Sequence, residues 1–454
     1  MLIFDSVKKE KIEFITKEKN VANIYVCGPT VYDDAHLGHA RSSICFDLLV
    51  RTLLANGYKV NFAKNFTDID DKIINKSKQT GKSIDEITSF YIKSYEDNMK
   101  ALNVISPNHK PKATEYVNEM INFIQDLKDY TYTLEDGIYL DTSFDEKYFS
   151  ISHKSTDNTM TRLENGVMKK NPSDFVLWKF DNGYYDAPFG GGRPGWHTEC
   201  VVMIESIFKG GLDVHCGGAD LLFPHHENEA CQCRLKNKKE ISNYWLHNAF
   251  VNINNEKMSK SLQNCFFVKD MLGSYDNETL RFYLQSTHYR SNFNFNEEDL
   301  KASKKRLDKF YRTKQRLNLD AFDDIAINDN IKSDNEYFKE CLKALNDDLN
   351  ISKAISIFEE YCVDINKRLD ENLDVDKKDF ISFSHLLGFG FKACDEYFKN
   401  IDENLKNKIE ELILQRLEAK LNKNYALADS IRDELSSMGV SIKDSKDGTT
   451  WEII

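Results

Sequence analysis

Residues 223–233 read FPHHENEACQC: two histidines, two glutamates and two cysteines within eleven positions. Imidazole, carboxylate and thiolate are the side chains that ligate transition metals. Pro224 suits the first position of a helix, which sets His225 and Glu229 at i and i+4 on one helical face. His226, about 100° further round, is expected to point away from that face. One helix supplies two or three ligands, whereas a closed site needs four. Cys231 and Cys233 are candidates, although lone helical cysteines are more often buried apolar groups. Cys27, after a strand-like run, and Cys200, in GRPGWHTEC, are further candidates. No Cys-x-x-Cys pair occurs, so spacing alone does not choose among them.

Two stretches suit phosphate. His36-Leu37-Gly38-His39 follows a strand and loop and opens a helix, where backbone N–H groups and the helix dipole favour an anion. The imidazoles add hydrogen bonds, and Gly38 allows close approach to the backbone. Much later, Lys257-Met258-Ser259-Lys260-Ser261 sets two lysines on a small polar loop that can neutralise a polyphosphate. Neither stretch is specific by itself. A Walker loop and a GxGxxG are both absent, which disfavours P-loop enzymes and dinucleotide-dependent dehydrogenases.

Ile24 to Cys27 reads as a buried strand, about His36 to Asn56 as a helix closed by Gly57, and Tyr58 to Phe66 as a second strand. That β-α-β unit implies a parallel sheet whose ligands bind beyond the carboxyl ends of its strands, where Cys27 and Thr67 fall. Ser83 to Leu102 reads as helical. Aromatic-rich short strands such as GIYLDT and VLWKF mark an insertion, after which the sheet resumes with GLDVHCGGAD and NAFVNIN. The expected division is a Rossmann-like α/β catalytic domain at 1–115 and 196–255, with a connective insertion at 116–195. Then come a lysine-bearing loop and basic helix at 256–316, a helical bundle at 317–398 and a mixed α/β unit at 399–454.

With 454 residues the chain is too long for one core. Its 41% apolar and 30% charged residues are ordinary for a soluble protein. No apolar run approaches the eighteen or so residues of a membrane span, and MLIFDSVKKEKIEF lacks a secretory pattern. A cytoplasmic monomer with reduced cysteines is expected. The net charge of −12 argues against a nucleic-acid partner, but a local basic face can still grip phosphate. LKASKKRLDKFYRTKQRL, residues 300–317, carries eight basic residues and one acid. At helical spacing Lys301, Lys305, Lys309, Arg312 and Arg316 share a stripe opposite Leu300, Leu307, Phe310, Tyr311 and Leu317. This face is a candidate RNA contact.

HLGH near the first strand together with KMSKS near the last resembles the paired signatures of class I aminoacyl-tRNA synthetases. YVCGPTVYDDAHLGHAR, NFTDIDDKI, GRPGWHTEC, DVHCGGADLLFPHHENE and KMSKSLQN, in that order, narrow the resemblance to the cysteinyl-tRNA synthetase family. It extends from Phe4 to the GTTW near the C-terminus. Cys216 stands where a third glycine is common, Phe189 where tryptophan is common, and Glu452 where a basic residue is frequent.

The resemblance implies zinc held by Cys27, Cys200, His225 and Glu229, which returns Cys231 and Cys233 to the apolar reading. It implies two steps: L-cysteine and ATP give cysteinyl-adenylate and pyrophosphate, and the cysteinyl group then passes to the 3′ end of tRNA(Cys). His36, Gly38 and His39 would bind ATP and stabilise its α-phosphate. Lys260, helped by Lys257, would hold the β- and γ-phosphates, with Mg²⁺ accompanying ATP. Cys27, Thr67, Trp196, His197 and Asp220 would line the substrate pocket, Trp196 as a wall or floor. Lys305, Lys309 and Arg312 would meet the tRNA stem, and Asp429, Arg432, Asp444 and Trp451 the anticodon. A mycothiol-type cysteine ligase would share the catalytic half but lack the C-terminal unit. A non-catalytic zinc-containing RNA-binding protein would not need HLGH and KMSKS together.

Overall fold

The computed structural model describes residues 1–154, 169–253, 256–257, 265–322, 331–399, 401, 403–445 and 448–453. Its central sheet has four parallel strands in the spatial order Lys59–Lys64, Val21–Val26, Leu212–Gly218 and Ser242–Asn248. The first strand is buried from Ala22 onward, as a parallel strand covered on both faces must be. Helix Leu37–Ala55 makes the expected crossover to Lys59–Lys64. It ends at Asn56, and Gly57, at φ +84°, supplies the left-handed residue that lets the chain turn back.

Between the halves of this sheet lie helices Ile84–Ala101 and Val117–Asp126 and an antiparallel sheet. Its strands are Thr131–Leu134, Gly137–Leu140, Phe175–Tyr185 and Gly192–Pro194. One expectation changes. NAFVNIN is not a single strand of the central sheet, which ends at Asn248. Val251–Ile253 instead joins a separate three-stranded sheet, parallel to Phe293–Phe295 and antiparallel to Glu256–Lys257.

Helices Glu297–Arg316, Glu336–Leu345, Ile351–Asp370 and Lys377–Leu387 follow. One apolar cluster runs from Val26 and Phe46 through Phe282 and Phe310 to Phe358 and Phe383, so the sheet and the bundle share a core. The C-terminal unit pairs helices Glu403–Leu421 and Tyr425–Ser437 with an antiparallel hairpin of Val440–Ser445 and Gly448–Ile453, around its own small core. No described helix is long and apolar enough to cross a membrane.

Candidate active site

The carboxyl ends of the four parallel strands set the site. Cys27 directly follows Val21–Val26 and donates its N–H to the Cys216 carbonyl at 3.0 Å. Gly28 then passes against the neighbouring strand's exit: a Cβ there would sit 1.6 Å from the Asn65 carbonyl oxygen. Only glycine permits that approach. Asn65 holds the crossing by accepting the Gly28 N–H at 2.8 Å. Sheet register sets Tyr25 and Trp245 on either side of His215. The His215 ring stacks on Trp245 at 4.7 Å, while the next residue, Cys216, packs on the sheet's other face.

Two helices cover this row. Trp196–Ile207 delivers Cys200. The second departs from the sequence expectation. Phe223 is extended (φ −142°, ψ 132°), residues 222–226 form a wide turn, and the regular helix is Glu227–Asn237. His225 and Glu229 still meet, Nε2 to Oε1 at 2.8 Å. His226, expected to point away, instead turns inward, with Nε2 3.3 Å from the Cys27 sulfur. The 100° step of an ideal helix does not apply across a turn that is not α-helical.

Cys27, Cys200, His225 and Glu229 therefore present four donor atoms within 4.8 Å of one another, and so do Cys27, His215, His226 and Glu229. The sulfurs are 3.9 Å apart, and Cys27 lies 3.8 Å from Glu229 Oε1. The hydrogen bond from Cys27 draws the Cys200 thiol down to about 6 against its burial. Burial pushes His225 down, but Glu229 and Cys200 raise it to about 10. Burial works against the Glu229 carboxylate, yet His215 and His225 hold it well below the usual range. The first set thus has two sulfurs, one of them readily a thiolate. A metal-bound imidazole ordinarily hydrogen-bonds through its other nitrogen. His225 meets this by sharing a bond of 3.0 Å with His197 Nδ1. His215 Nδ1 has no partner among the described residues. The donor chemistry therefore fits a metal in the first set, with His215 behind it, its Nε2 2.5 Å from Glu229 Oε2.

The HLGH turn is built as a cap. His36 is the N-cap of Leu37–Ala55, its Nδ1 accepting the Gly38 N–H at 3.1 Å, while His39 Nδ1 accepts the His36 N–H at 3.2 Å. The rings stack at 3.8 Å. With both Nδ1 atoms acting as acceptors, each neutral ring carries its proton on Nε2, the form that donates to an anion. Leu37 N–H donates to Phe266 O and Val268 N–H to Ala35 O, so the chain leaving KMSKS is stitched to this turn. Lys257 ends a short strand, with its side chain undescribed, and Lys260 lies outside the described residues.

Thr67 is buried and donates to Glu199 Oε2 at 3.1 Å. Trp196 stacks face to face on His225 at 4.1 Å and is 38% exposed, a wall open to solvent on one side. Asp220 is exposed in the turn after Leu212–Gly218 and is not drawn into the ligand cluster. Lys305 and Lys309 are exposed on Glu297–Arg316 without a described ion-pair partner, and Leu300, Leu307, Phe310, Tyr311 and Leu317 are buried opposite. Arg312 pairs with Glu452 of the C-terminal hairpin and lies 4.0 Å over the Phe398 ring. Asp429 and Arg432 are exposed. Two further anticodon candidates also serve the fold. Trp451 is 7% exposed and packs in the C-terminal core. Asp444 is exposed and accepts from Arg416 at 2.9 and 3.0 Å and from Lys420 and Thr449 at 2.7 Å, with Arg432 3.7 Å away.

His215, His247 and Glu199 were not singled out from the sequence. His247 Nε2 lies 2.8 Å from His226 Nδ1. A histidine inside an apolar strand, as in GLDVHCGGAD, is the one signal that was available for His215.

The family model for the class I (C) tRNA synthetase catalytic domain matches residues 13–305. A cysteine–tRNA ligase of Campylobacter lari is 56% identical, covering 100% of this chain and 99% of its own. Another, from Sulfurovum sp., is 52% identical with 100% of both chains covered. In fold, the chain is similar to the Mycobacterium tuberculosis methionyl-tRNA synthetase in complex with methionyl-adenylate. The TM-score is 0.56 at 12% identity, over 81% of this chain and 88% of that one.

Proposed function

The chain belongs to the cysteine–tRNA ligase family of class I aminoacyl-tRNA synthetases, and from that premise we propose that it activates L-cysteine with ATP and passes the cysteinyl group to tRNA(Cys). The observation that carries this reading is the Cys27–Cys200–His225–Glu229 cluster, buried but for a partly exposed Cys27, at the carboxyl edge of the sheet that also feeds the HLGH turn. Sulfurs 3.9 Å apart suit a tetrahedral ion with bonds of about 2.3 Å, whose S···S edge is roughly 3.8 Å. Zinc held there supplies a thiolate-selective position, because it bonds sulfur strongly and lowers a thiol's pKa from its free value of about 8.5.

The chain's own groups do the rest. Trp196, fixed against His225, walls the amino-acid pocket, and Thr67 is held to it through Glu199. The Nε2–H groups of His36 and His39 donate to the α-phosphate as the cysteine carboxylate attacks phosphorus and pyrophosphate departs. The helix N-terminus beneath them favours the same charge. Lys260, aided by Lys257, neutralises the leaving group, and ATP enters as its magnesium complex. Little covalent work falls to the protein, so positioning and charge carry the rate. Lys305 and Lys309 meet the tRNA stem. Asp429, Arg432, Asp444 and Trp451 are the anticodon contacts, and Trp451 and Asp444 also hold together the unit that bears them.

A shape-based pocket separates sulfur from oxygen by roughly 10²-fold, and protein synthesis needs on the order of 10⁴. ATP–pyrophosphate exchange with cysteine and with serine, run beside tRNA charging, tests the proposal. Cysteine-dependent exchange that rejects serine by 10⁴ or so, followed by charging, is expected. Exchange that proceeds well without metal, or serine activity within about a hundredfold of cysteine, defeats it. Exchange without charging would favour the mycothiol-type ligase.

A further inference from the structure

Beside helix Leu37–Ala55 lies a cavity of about 220 Å³. It opens between that helix, strand Lys59–Lys64, helix Ile84–Ala101 and the loop at 104–107. Its walls are mainly apolar, with Phe46, Phe62, Met99 and Ile105 among them, and Ser43, Ser106 and Lys110 also line it. Phe62 and Lys64, two apart on the strand, share one face, so the strand's period places an ammonium beside the chamber's apolar wall.

Lys64 is only 8% exposed. Its ammonium donates to Ser43 Oγ at 2.8 Å and lies 5.2 Å from the centre of the Tyr95 ring. The Ser43 hydroxyl spends its proton on the His39 carbonyl at 2.8 Å, so it accepts from both Lys64 and Tyr95. No described carboxylate pairs with Lys64. The acids at the cavity's mouth are committed elsewhere, Glu96 to Lys110 and Asp97 to Lys93, each at 2.6 Å. Lys100, also at the mouth, is exposed. A buried cation without a counter-charge is costly, and a cavity of about 150 Å³ already takes benzene.

We propose that this cavity is a binding site for a small monocarboxylate with an aryl or short alkyl body, its carboxylate paired with Lys64 and its body among Phe46, Phe62 and Met99. One buried positive charge matches one negative charge. A phosphate dianion would leave charge unpaired in apolar surroundings, and a neutral hydrocarbon would leave the ammonium as it stands.

The test is calorimetric titration of the full chain with sodium benzoate and with benzyl alcohol, repeated on Lys64→Met and Val104→Phe. Saturable benzoate binding is expected in the millimolar range or tighter, at least tenfold better than benzyl alcohol. Lys64→Met should lower benzoate affinity at least tenfold while benzyl alcohol still binds, and Val104→Phe, which fills the chamber from its loop, should remove both. Absence of saturable benzoate binding overturns the proposal, as does benzoate binding of equal strength in either variant. Should Lys64→Met fail to fold, the wild-type preference for benzoate over benzyl alcohol and its loss in Val104→Phe decide the matter.

Discussion

Replacing His215 by leucine separates the two metal-ligand sets that share Cys27 and Glu229. His215 is fully buried, hydrogen-bonded through Nε2 to Glu229 Oε2 and stacked on Trp245. If the metal sits among Cys27, Cys200, His225 and Glu229, His215 orients the carboxylate from behind. Losing such an outer partner costs about 10- to 100-fold in metal affinity, or roughly 1.4 to 2.7 kcal/mol. Leucine keeps most of the volume but leaves Glu229 Oε2 without its donor, a penalty of about 1–3 kcal/mol that agrees with that range. His215→Gln, whose amide nitrogen can stand where Nε2 stood, should recover most of the loss. Cys200→Ser, by contrast, removes a ligand outright and should leave the protein without metal after dialysis. Zinc content and competition against a chromophoric chelator measure all three. If His215→Leu strips the metal while Cys200→Ser retains it, the ion belongs to the other set and Cys200 has been given the wrong role.

Gly28→Ala, whose new Cβ would meet the Asn65 carbonyl oxygen at 1.6 Å, should destabilise the strand exit by about 3 kcal/mol or more and lower both Tm and bound zinc. Unchanged melting and metal content would contradict the crossing described. Lys260→Ala should slow pyrophosphate exchange by about two to four powers of ten with cysteine binding intact; a near-wild-type rate would remove Lys260 from the leaving-group role. Charge reversal at Lys305 and Lys309 should flatten the salt dependence of tRNA binding by about 0.7–0.9 per lost phosphate contact, and an unaltered slope returns that face to solvent. Glu452→Gln releases Arg312 from an exposed pair that contributes at most about 1 kcal/mol to stability. Melting should barely move while tRNA binding tightens at low salt, and weaker binding would show that Arg312 needs Glu452 to hold it in place.

What the sequence disclosed best was whatever depends on neighbours along the chain. The β-α-β unit was legible because an apolar run, a capped helical period and a second run follow one another within about forty positions. The buried and basic faces of Glu297–Arg316 were legible for the same reason, since 3.6 residues per turn sorts Leu307 and Phe310 from Lys305 and Lys309 without any knowledge of what lies beneath. His225 and Glu229 met as i and i+4, even though the turn before Glu227 is not a regular helix.

What escaped was set by partners distant in sequence. His215 looks like an oddity in an apolar strand until parallel register sets Tyr25 on one side, Trp245 on the other and Glu229 above. Nothing within GLDVHCGGAD specifies those three. Trp451 and Asp444 show the converse: their types suit stacking and amino-group recognition, and nothing local in the sequence discloses the part they also play in the fold. The C-terminal unit has only a few apolar residues with which to build a core and must bury its tryptophan among them. Asp444 sits where Arg416, Lys420 and Thr449 converge, tying the hairpin to the helix Glu403–Leu421. In so small a unit, residues that look made for a ligand are also used by the fold: Trp451 fills the core, while Asp444, though exposed, ties hairpin to helix.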